Sequence, residues 1–388
     1  MQDCGMLSDA GATYVLGADI SIKDATCLTV ANANISLDCA GHSITGTNAS
    51  GTAGIYSDWP GTVVKNCHIR GFQYGVSFNR ADNGTITGST MDLTHSLGSG
   101  ILFFNGANGN SITNVTAHSV NYHAILLEQN SSLNRIINST GRVTGSCSYG
   151  IAVMSASSNN LILGSTGFSS NDAGIVLSSS SGNIVRDSAG ISDTYRGMVL
   201  INSDSNTIAN SVFRVKNPAK TECTPKTGYG NAIHLHLGSN ANVFSNNTLV
   251  SPTGTLLLFH QDADGNVLWW NNFTNTSGKY VEDRGMGNRF SNPANGTSMG
   301  NIWFNVVNGS AGAIGCPGSV FPGLFYGERG RGVPYDSSSS FGKVSLGVRD
   351  YAPLTQEYGS FGFAFSLKME FPFVEFRPTC RDGRIRLF

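Results

Sequence analysis

Two histidines lie one residue apart in the stretch NAIHLHLG, at positions 234 and 236. On one face of a strand, their Cα atoms would be about 6–7 Å apart, close enough for both imidazoles to bind one transition-metal ion. A third ligand is needed, and His260 is the available one. Next, the stretch DADGN places Asp262 and Asp264 at a spacing typical of calcium loops, without the downstream glutamate that such loops use. A transition metal or calcium is therefore a candidate cofactor. The alternative is that His234, His236 and the residues after them are solvated polar groups beside a covered face.

The composition of the 388-residue chain limits the classes of function. A formal net charge of −1 gives no electrostatic reason to expect nucleic acid as a partner. No apolar run of 18 residues is present, so we expect no transmembrane segment, and the N-terminus MQDCGMLSDAG lacks the features of a signal peptide. Eight cysteines without a C-x-x-C pair favour an oxidised chain. We therefore expect a mature or trimmed form of a secreted or cell-surface protein.

A repeat runs through most of the chain. A small residue followed by apolar residues recurs at intervals of 21 to 35 residues, as in GVSFN, GILFFN, GIVLSS and GMVLIN. Each unit then reaches an Asn and a second short apolar stretch. Alternation over four or five residues, with Gly, Ser and Asn at the corners, is typical of strands rather than helices. The sequence therefore predicts an all-β fold, a parallel β-helix of about 9–11 coils with a C-terminal extension.

Three segments resemble a known family. They are the opening YVLGADISIKDATCLTVANANISLDCAGHSITG and the later elements GNIWFNV (from Gly300) and RDYAPL (from Arg349). The opening is similar to that of the right-handed parallel β-helix repeats often described as carbohydrate-binding and sugar-hydrolase repeats. The later elements are similar to the closing elements of copper-enzyme accessory members. The resemblance covers roughly residues 4 to 354 and implies a single-stranded right-handed solenoid. The fold hosts lyases, hydrolases, epimerases, adhesins and inert scaffolds, so the resemblance implies little about function.

The predicted organisation follows the repeat. An N-terminal cap with the first coils spans 1–50, and further coils span 51–310, with an insertion at 214–230. A closing segment at 311–354 and a C-terminal strand extension at 355–388 complete the chain.

The repeat also predicts which side chains face inward, because side chains alternate across a strand. Ile233 and Leu235 align with apolar residues of the other units and are assigned to the core, which places His234 and His236 on the outer face. Their outer neighbours are mostly apolar, so we expect another part of the chain or a partner to cover this face. The predicted assembly face comprises Leu102, Phe104, Met154, Val176, Val199, Ile201, Phe259, Phe361, Phe363, Phe365, Phe371 and Phe373.

The last five of these residues belong to FGFAFSLKMEFPFVEF (361–376), which predicts a long amphipathic strand. This strand can fold back over the outer face or pair with a neighbouring molecule by strand addition. We favour the second arrangement. The main functional prediction is therefore a structural or adhesive building block that self-assembles into a homo-oligomer or filament.

A carbohydrate-binding module is the first alternative. One residue per unit directly precedes the small residue at a predicted turn, and four of these residues carry a ring or a cation: Tyr74, His123, Tyr149 and Arg196. Rings aligned in this way can hold the apolar faces of sugars, although turn aromatics also simply pack over a corner. The insertion at 214–230 adds four Lys or Arg residues and is either a binding loop or a surface elaboration. The partner would be an extracellular polysaccharide.

A polysaccharide lyase or glycoside hydrolase is the second alternative. A lyase needs a base and a cation beside the uronate carboxylate, and a hydrolase needs two carboxylates at a defined separation. Few Asp or Glu residues occupy equivalent positions in neighbouring units, and Glu128 stands alone in its column. We therefore assign no catalytic residue, and the sequence leans away from catalysis.

The cysteines and the sequons predict covalent features of an extracellular chain. Cys39 and Cys67 occupy matching positions in adjacent units, close enough for a disulfide. The other suggested pairs are Cys4–Cys27 at the opening, Cys147–Cys223 at the insertion and Cys316–Cys380 in the tail. Eleven N-x-S/T sequons are glycosylation candidates, at Asn34, Asn48, Asn83, Asn114, Asn130, Asn138, Asn246, Asn272, Asn275, Asn295 and Asn308.

Overall fold

The computed structural model describes residues 1–145, 147–220, 230–291, 300–307, 335–351 and 353, together with the backbone of 379–381 and 384–386. Within these residues the chain winds through three parallel sheets of 12, 11 and 12 strands, which we call sheets A, B and C. Each coil contributes one short strand to each sheet in turn, except the last described coil, which has no strand in sheet B. The predicted all-β parallel solenoid is confirmed.

Sheet A contains the strand that follows the small residue of each repeat, and neighbouring coils pair in order. Its strands are Gly5–Leu7, Leu28–Val30, Ala53–Ser57, Tyr74–Asn79, Ser99–Phe104, Ile125–Leu127, Ile151–Met154, Ala173–Ser178, Arg196–Ile201, Asn231–His236, Leu257–Phe259 and Val281–Asp283.

Sheets B and C follow sheet A around each coil. The strands of sheet B are Thr13–Val15, Ser36–Asp38, Val63–Lys65, Thr85–Thr87, Ser111–Thr113, Arg135–Ile137, Leu161–Leu163, Ile184–Arg186, Thr207–Ala209, Val243–Ser245 and Val267–Trp269. Those of sheet C are Ile20–Ser21, Ser43–Thr45, His68–Arg70, Thr90–Leu93, Thr116–Ser119, Thr140–Val143, Thr166–Ser169, Ala189–Ser192, Val212–Val215, Thr248–Val250, Asn272–Phe273 and Ile302–Trp303. A short helix (Phe304–Val307) and an antiparallel pair (Thr379–Arg381 with Arg384–Arg386) complete the described elements.

The predicted inward columns form the core of the solenoid. In the coil of the two histidines, Ile233 and Leu235 are buried and pair with Met198 and Leu200 of the preceding coil. The prediction for the next coil is wrong by one residue. Phe259 pairs with Leu235 and is fully buried in the core, so it does not belong to the outer face. Because the side-chain period of a strand is two, this one-residue slip exchanges the inner and outer faces.

Asparagines stack at the corner between sheets A and B from the coil of Asn110 onwards, whereas Gly84 holds this position in the coil before it. The backbone N–H of Asn110 donates to Oδ1 of Asn134 at 2.8 Å, and the N–H of Asn160 donates in the same way to Asn183. Each amide is buried, yet it is satisfied by the next coil. The ladder therefore fixes both the corner and the stacking register.

The quoted closing elements GNIWFNV and RDYAPL meet at the C-terminal end of the described coils. Trp303 stacks between Phe273 and Tyr335, with ring centroids 4.4 and 4.6 Å away. Its Nε1 donates to Oδ2 of the buried Asp350 at 2.9 Å, and that carboxylate also accepts the N–H of Asn301 at 2.8 Å. These elements thus end the core and terminate a polar ladder.

Two predicted disulfides, Cys4–Cys27 and Cys39–Cys67, link adjacent coils at the N-terminal end. Cys147 is also disulfide-bonded. Its suggested partner Cys223, and the side chains of the Cys316–Cys380 pair, lie outside the described residues, as do the tail phenylalanines at 361–373. Disulfides of this kind persist in oxidising compartments outside the cytosol.

Candidate functional site on the outer face of sheet A

The outer face of sheet A carries a second apolar cluster, separate from the core. Leu102, Leu126, Val176 and Val199 are buried there, together with Ala152 and Ala173. The predicted face residues Phe104, Met154 and Ile201 pack against this cluster and are half-buried. The central side chains of the face are therefore shielded from solvent. In this conformation they are not free to contact a second molecule.

The predicted row at the turn before sheet A is one continuous row. Tyr74 pairs with Ser99, and Arg196 pairs with both Ala173 and Asn231. The imidazole of His123 stacks on Tyr149 with ring centroids 4.8 Å apart, and its Nδ1 accepts the N–H of Tyr149 at 3.1 Å. Tyr74 and Tyr149 also pack against the apolar cluster. The rings therefore serve largely as packing groups rather than as an open platform for sugars.

A polar centre follows these rings along the row. The carboxyl group of Asp172 is only 7% exposed, and burial raises its pKa to about 6, although the charge of Arg196 opposes this shift. Burial also lowers the pKa of Arg196 and raises that of Tyr149. Two atoms in this centre have no hydrogen-bond partner, Nε of Arg196 and Oδ1 of Asn231. Buried unsatisfied groups with shifted pKa values are typical of functional sites.

The three predicted metal-binding histidines adjoin this centre. The rings of His234 and His236 are 5.4 Å apart edge to face, and those of His236 and His260 are 4.4 Å apart. His234 is 4% exposed, and both of its ring nitrogens lack a hydrogen-bond partner, as does Nδ1 of His260. The pKa of His234 is lowered well below its ordinary value, mainly by burial and in addition by the positive charge of Arg196. The imidazole of His234 is therefore neutral at pH 7.

The predicted aspartate ligands do not join the histidines. Oδ1 of Asp264 accepts the backbone N–H of Met286 at 2.6 Å, and the N–H of Asp264 donates to Asn240, so this residue belongs to a ladder that stacks the coils. Asp262 is exposed. Among the residues that the structure describes, no three His, Cys, Asp or Glu side chains are placed to hold a metal ion. Neither the calcium site nor the transition-metal site is thus assembled as predicted.

Comparison with known proteins finds similarity to two family models. A model of the right-handed β-helix region matches residues 11–167, and a model described as periplasmic copper-binding protein (NosD) matches residues 129–307. Together the two matches span residues 11–307, and they are similarities to families over part of the chain. No curated protein matches the chain. In the described part of this β-helix, no helix is long and apolar enough to cross a membrane.

Solved structures share the β-helix fold at low identity. The periplasmic alginate epimerase AlgG is 11% identical over 71% of this chain and 77% of its own, with a TM-score of 0.48. A double mutant of AlgG is 12% identical over the same shares and has a TM-score of 0.51. The A-module of mannuronan C-5 epimerase AlgE4 from Azotobacter vinelandii is 14% identical over 74% and 81%, with a TM-score of 0.47. Likeness at this level shows the fold alone.

The description of the second family model raises the question of copper. Imidazole nitrogens suit copper, and His234 offers two unpartnered ones. As placed, however, the described side chains supply no third donor to a common point. The residues therefore do not fit a resident metal ion, and we derive no chemistry from one.

The sequence did not identify Asp172 as a site residue. It lies one position before the turn row, next to Ala173, and its importance depends on Arg196 in the following coil. Asp172 would have been found if the alignment of the units had also included the residue that directly precedes the turn row.

Proposed function

We propose that this β-helix is an extracytoplasmic protein that binds an acidic polysaccharide at the outer edge of sheet A, with Arg196 anchoring a carboxylate. The observation that carries the proposal is Arg196, a half-buried residue whose guanidinium stacks on the ring of Tyr195 and whose Nε is buried without a hydrogen-bond partner. Asp172 influences Arg196 through its charge but forms no ion pair with it within the described residues. A ligand carboxylate would supply the missing acceptor, and such charge-assisted bonds are among the strongest that proteins form.

Proton transfer on the bound uronate is a second candidate, which one observation favours. His234 is a neutral imidazole with two unpartnered nitrogens, and the nearby charge of Arg196 helps to lower its pKa. A neutral imidazole beside a cation that holds the carboxylate is suited to removing the proton α to that carboxylate.

Binding is tested by calorimetric titration of uronate oligosaccharides, with neutral glucans as the ligand control. Arg196→Gln should weaken uronate binding by about tenfold or more, because it removes a charged hydrogen bond. The matched control is Arg186→Gln, because Arg186 is exposed on sheet B and pairs with Asp187. Equal affinities of the Arg196 variant and the wild type would refute the assignment. The second candidate is tested by comparing the wild type with His234→Gln in two assays. Ultraviolet absorbance detects the unsaturated ends that a lyase forms, and NMR detects epimerised residues.

Self-assembly through the C-terminal amphipathic segment remains a separate proposal, because residues 361–376 lie outside the described residues. Secretion or display at the cell surface is supported by the two disulfides. Glycosylation is supported by the sequons, because eight of the nine described sequon asparagines are exposed and Asn272 is half-exposed.

A further inference from the structure

The outer face of sheet C carries a cationic surface that the site on sheet A does not use. Parallel pairing places Arg142, Phe168, Ile191 and Arg214 in one row along the solenoid. The guanidinium carbon of Arg142 lies 4.1 Å from the ring centroid of Phe168, and Nζ of Lys216 lies 4.7 Å from it. Phe168 points outward but is only 6% exposed. The ring of Phe168 therefore contacts the cationic groups of both Arg142 and Lys216, and these contacts limit the motion of the two side chains before any ligand binds.

The charges on this surface are not balanced. Lys216 pairs with Asp193 at 2.9 Å. Arg142 and Arg214 are both exposed, and neither forms an ion pair within the described part of the chain. The chain as a whole has a formal charge of −1, so this excess of positive charge is local. A local field of this kind favours an anionic partner.

An open groove of about 470 Å³ lies at one end of the row. Arg214 and Lys216 contribute its cations, whereas Val250 and Pro252 contribute apolar surface. Sugar rings present apolar C–H faces, and an acidic sugar adds a negative group at the ring edge. The groove therefore offers complementary contacts to both parts of an acidic sugar.

The row also matches an extended ligand. Arg142 and Arg214 are three coils apart, which corresponds to about 14 Å along the solenoid. A single small anion cannot contact both, whereas an extended polymer with repeated anionic groups can.

We propose that Arg142, Phe168, Arg214, Lys216 and the groove beside them, the sheet C groove, form a second binding site for an anionic polysaccharide. The site binds through negative groups on successive sugars, whether carboxylates or sulfate esters. It is independent of Arg196, because no residue is shared and the two sites lie on different sheets.

The test uses the full chain from a host that does not N-glycosylate, because the sequon residue Asn275 lines the groove. Calorimetry and NMR chemical-shift mapping follow titrations with a uronate oligomer, a sulfated oligomer and a neutral oligomer of equal length. All titrations are done in an Arg196→Gln background, so that the first site is silent. Failure of the sheet C groove is therefore distinguishable from failure of the proposed function, which is tested with Arg196 intact.

The double variant Arg142→Gln/Arg214→Gln should weaken binding of the preferred anionic oligomer by about tenfold or more. The matched control is Arg135→Gln/Arg186→Gln, which removes the same charge from exposed positions on sheet B; it should change the affinity by less than about twofold. Preference for the uronate or the sulfated oligomer identifies the anionic group. Three results would overturn the proposal: no binding of either anionic oligomer, equal losses in both double variants, or tighter binding of a single-stranded oligonucleotide than of either sugar.

Discussion

Burial shifts the pKa values of His123 and Asp172 in opposite directions. The two shifts therefore have opposite effects on the stability of the fold as the pH falls, and both effects can be measured. Burial lowers the pKa of His123 from 6.5 to about 4 and raises that of Asp172 from 3.8 to about 6. Between pH 6.5 and 4 the unfolded chain binds more protons at His123 than the folded chain does. Acidification therefore destabilises the fold through His123. Between pH 6 and 3.8 the folded chain binds more protons at Asp172, so acidification stabilises the fold through Asp172.

The two effects are of similar size. One pKa unit corresponds to about 1.4 kcal/mol, so each residue changes the free energy of unfolding by about 2–3 kcal/mol between pH 7 and pH 4. In the wild type these changes nearly cancel. In Asp172→Asn only the histidine effect remains, and the variant should lose about 2–3 kcal/mol relative to wild type on acidification from pH 7 to pH 4. In His123→Gln the relative change should have the opposite sign.

Urea unfolding of the three proteins at half-unit steps from pH 7 to pH 4 measures these differences, with all other titrating groups common to each pair. Asp58→Asn is a suitable control, because Asp58 is exposed. The reasoning is refuted if the stability difference between Asp172→Asn and wild type does not vary with pH. A difference that varied with the opposite sign would show that Arg196, rather than burial, governs Asp172.

Four further outcomes follow from the structure. Asn183→Ala removes an amide that accepts from Asn160 and donates to Asn206, and should lower the free energy of unfolding by about 2–3 kcal/mol in urea titrations, whereas the exposed Ser179→Ala should change it little. Asp350→Ala removes the acceptor of Trp303 and Asn301 and should shift the tryptophan emission to longer wavelength; unchanged emission would contradict the cap. Calcium should not bind saturably at Asp264, because its carboxylate already accepts the N–H of Met286; saturable binding that is lost in Asp264→Asn would contradict this. If the C-terminal segment drives assembly, deleting residues 355–388 should abolish concentration-dependent oligomers in light scattering, and an identical monomer in both forms would count against self-assembly.

The repeat was sufficient to predict the fold, because in-and-out alternation and a corner asparagine leave few other arrangements. Once His123, Tyr149 and Arg196 are aligned with their units, their row can be read from the sequence, because stacked coils place equivalent residues side by side. The disulfide Cys39–Cys67 follows from the same alignment. Each of these inferences depends only on local pattern and on the number of residues per coil.

Burial, electrostatics and exact register depended on the tertiary structure. One additional residue in the coil after the two histidines moved Phe259 into the core and brought His260 beside His236, and composition does not reveal such a slip. The covering of the outer face determines that His234 is neutral and that the carboxyl pKa of Asp172 is raised, because desolvation depends on everything packed around a group. The cations around Phe168 come from different coils, so their cluster exists only after the coils have stacked.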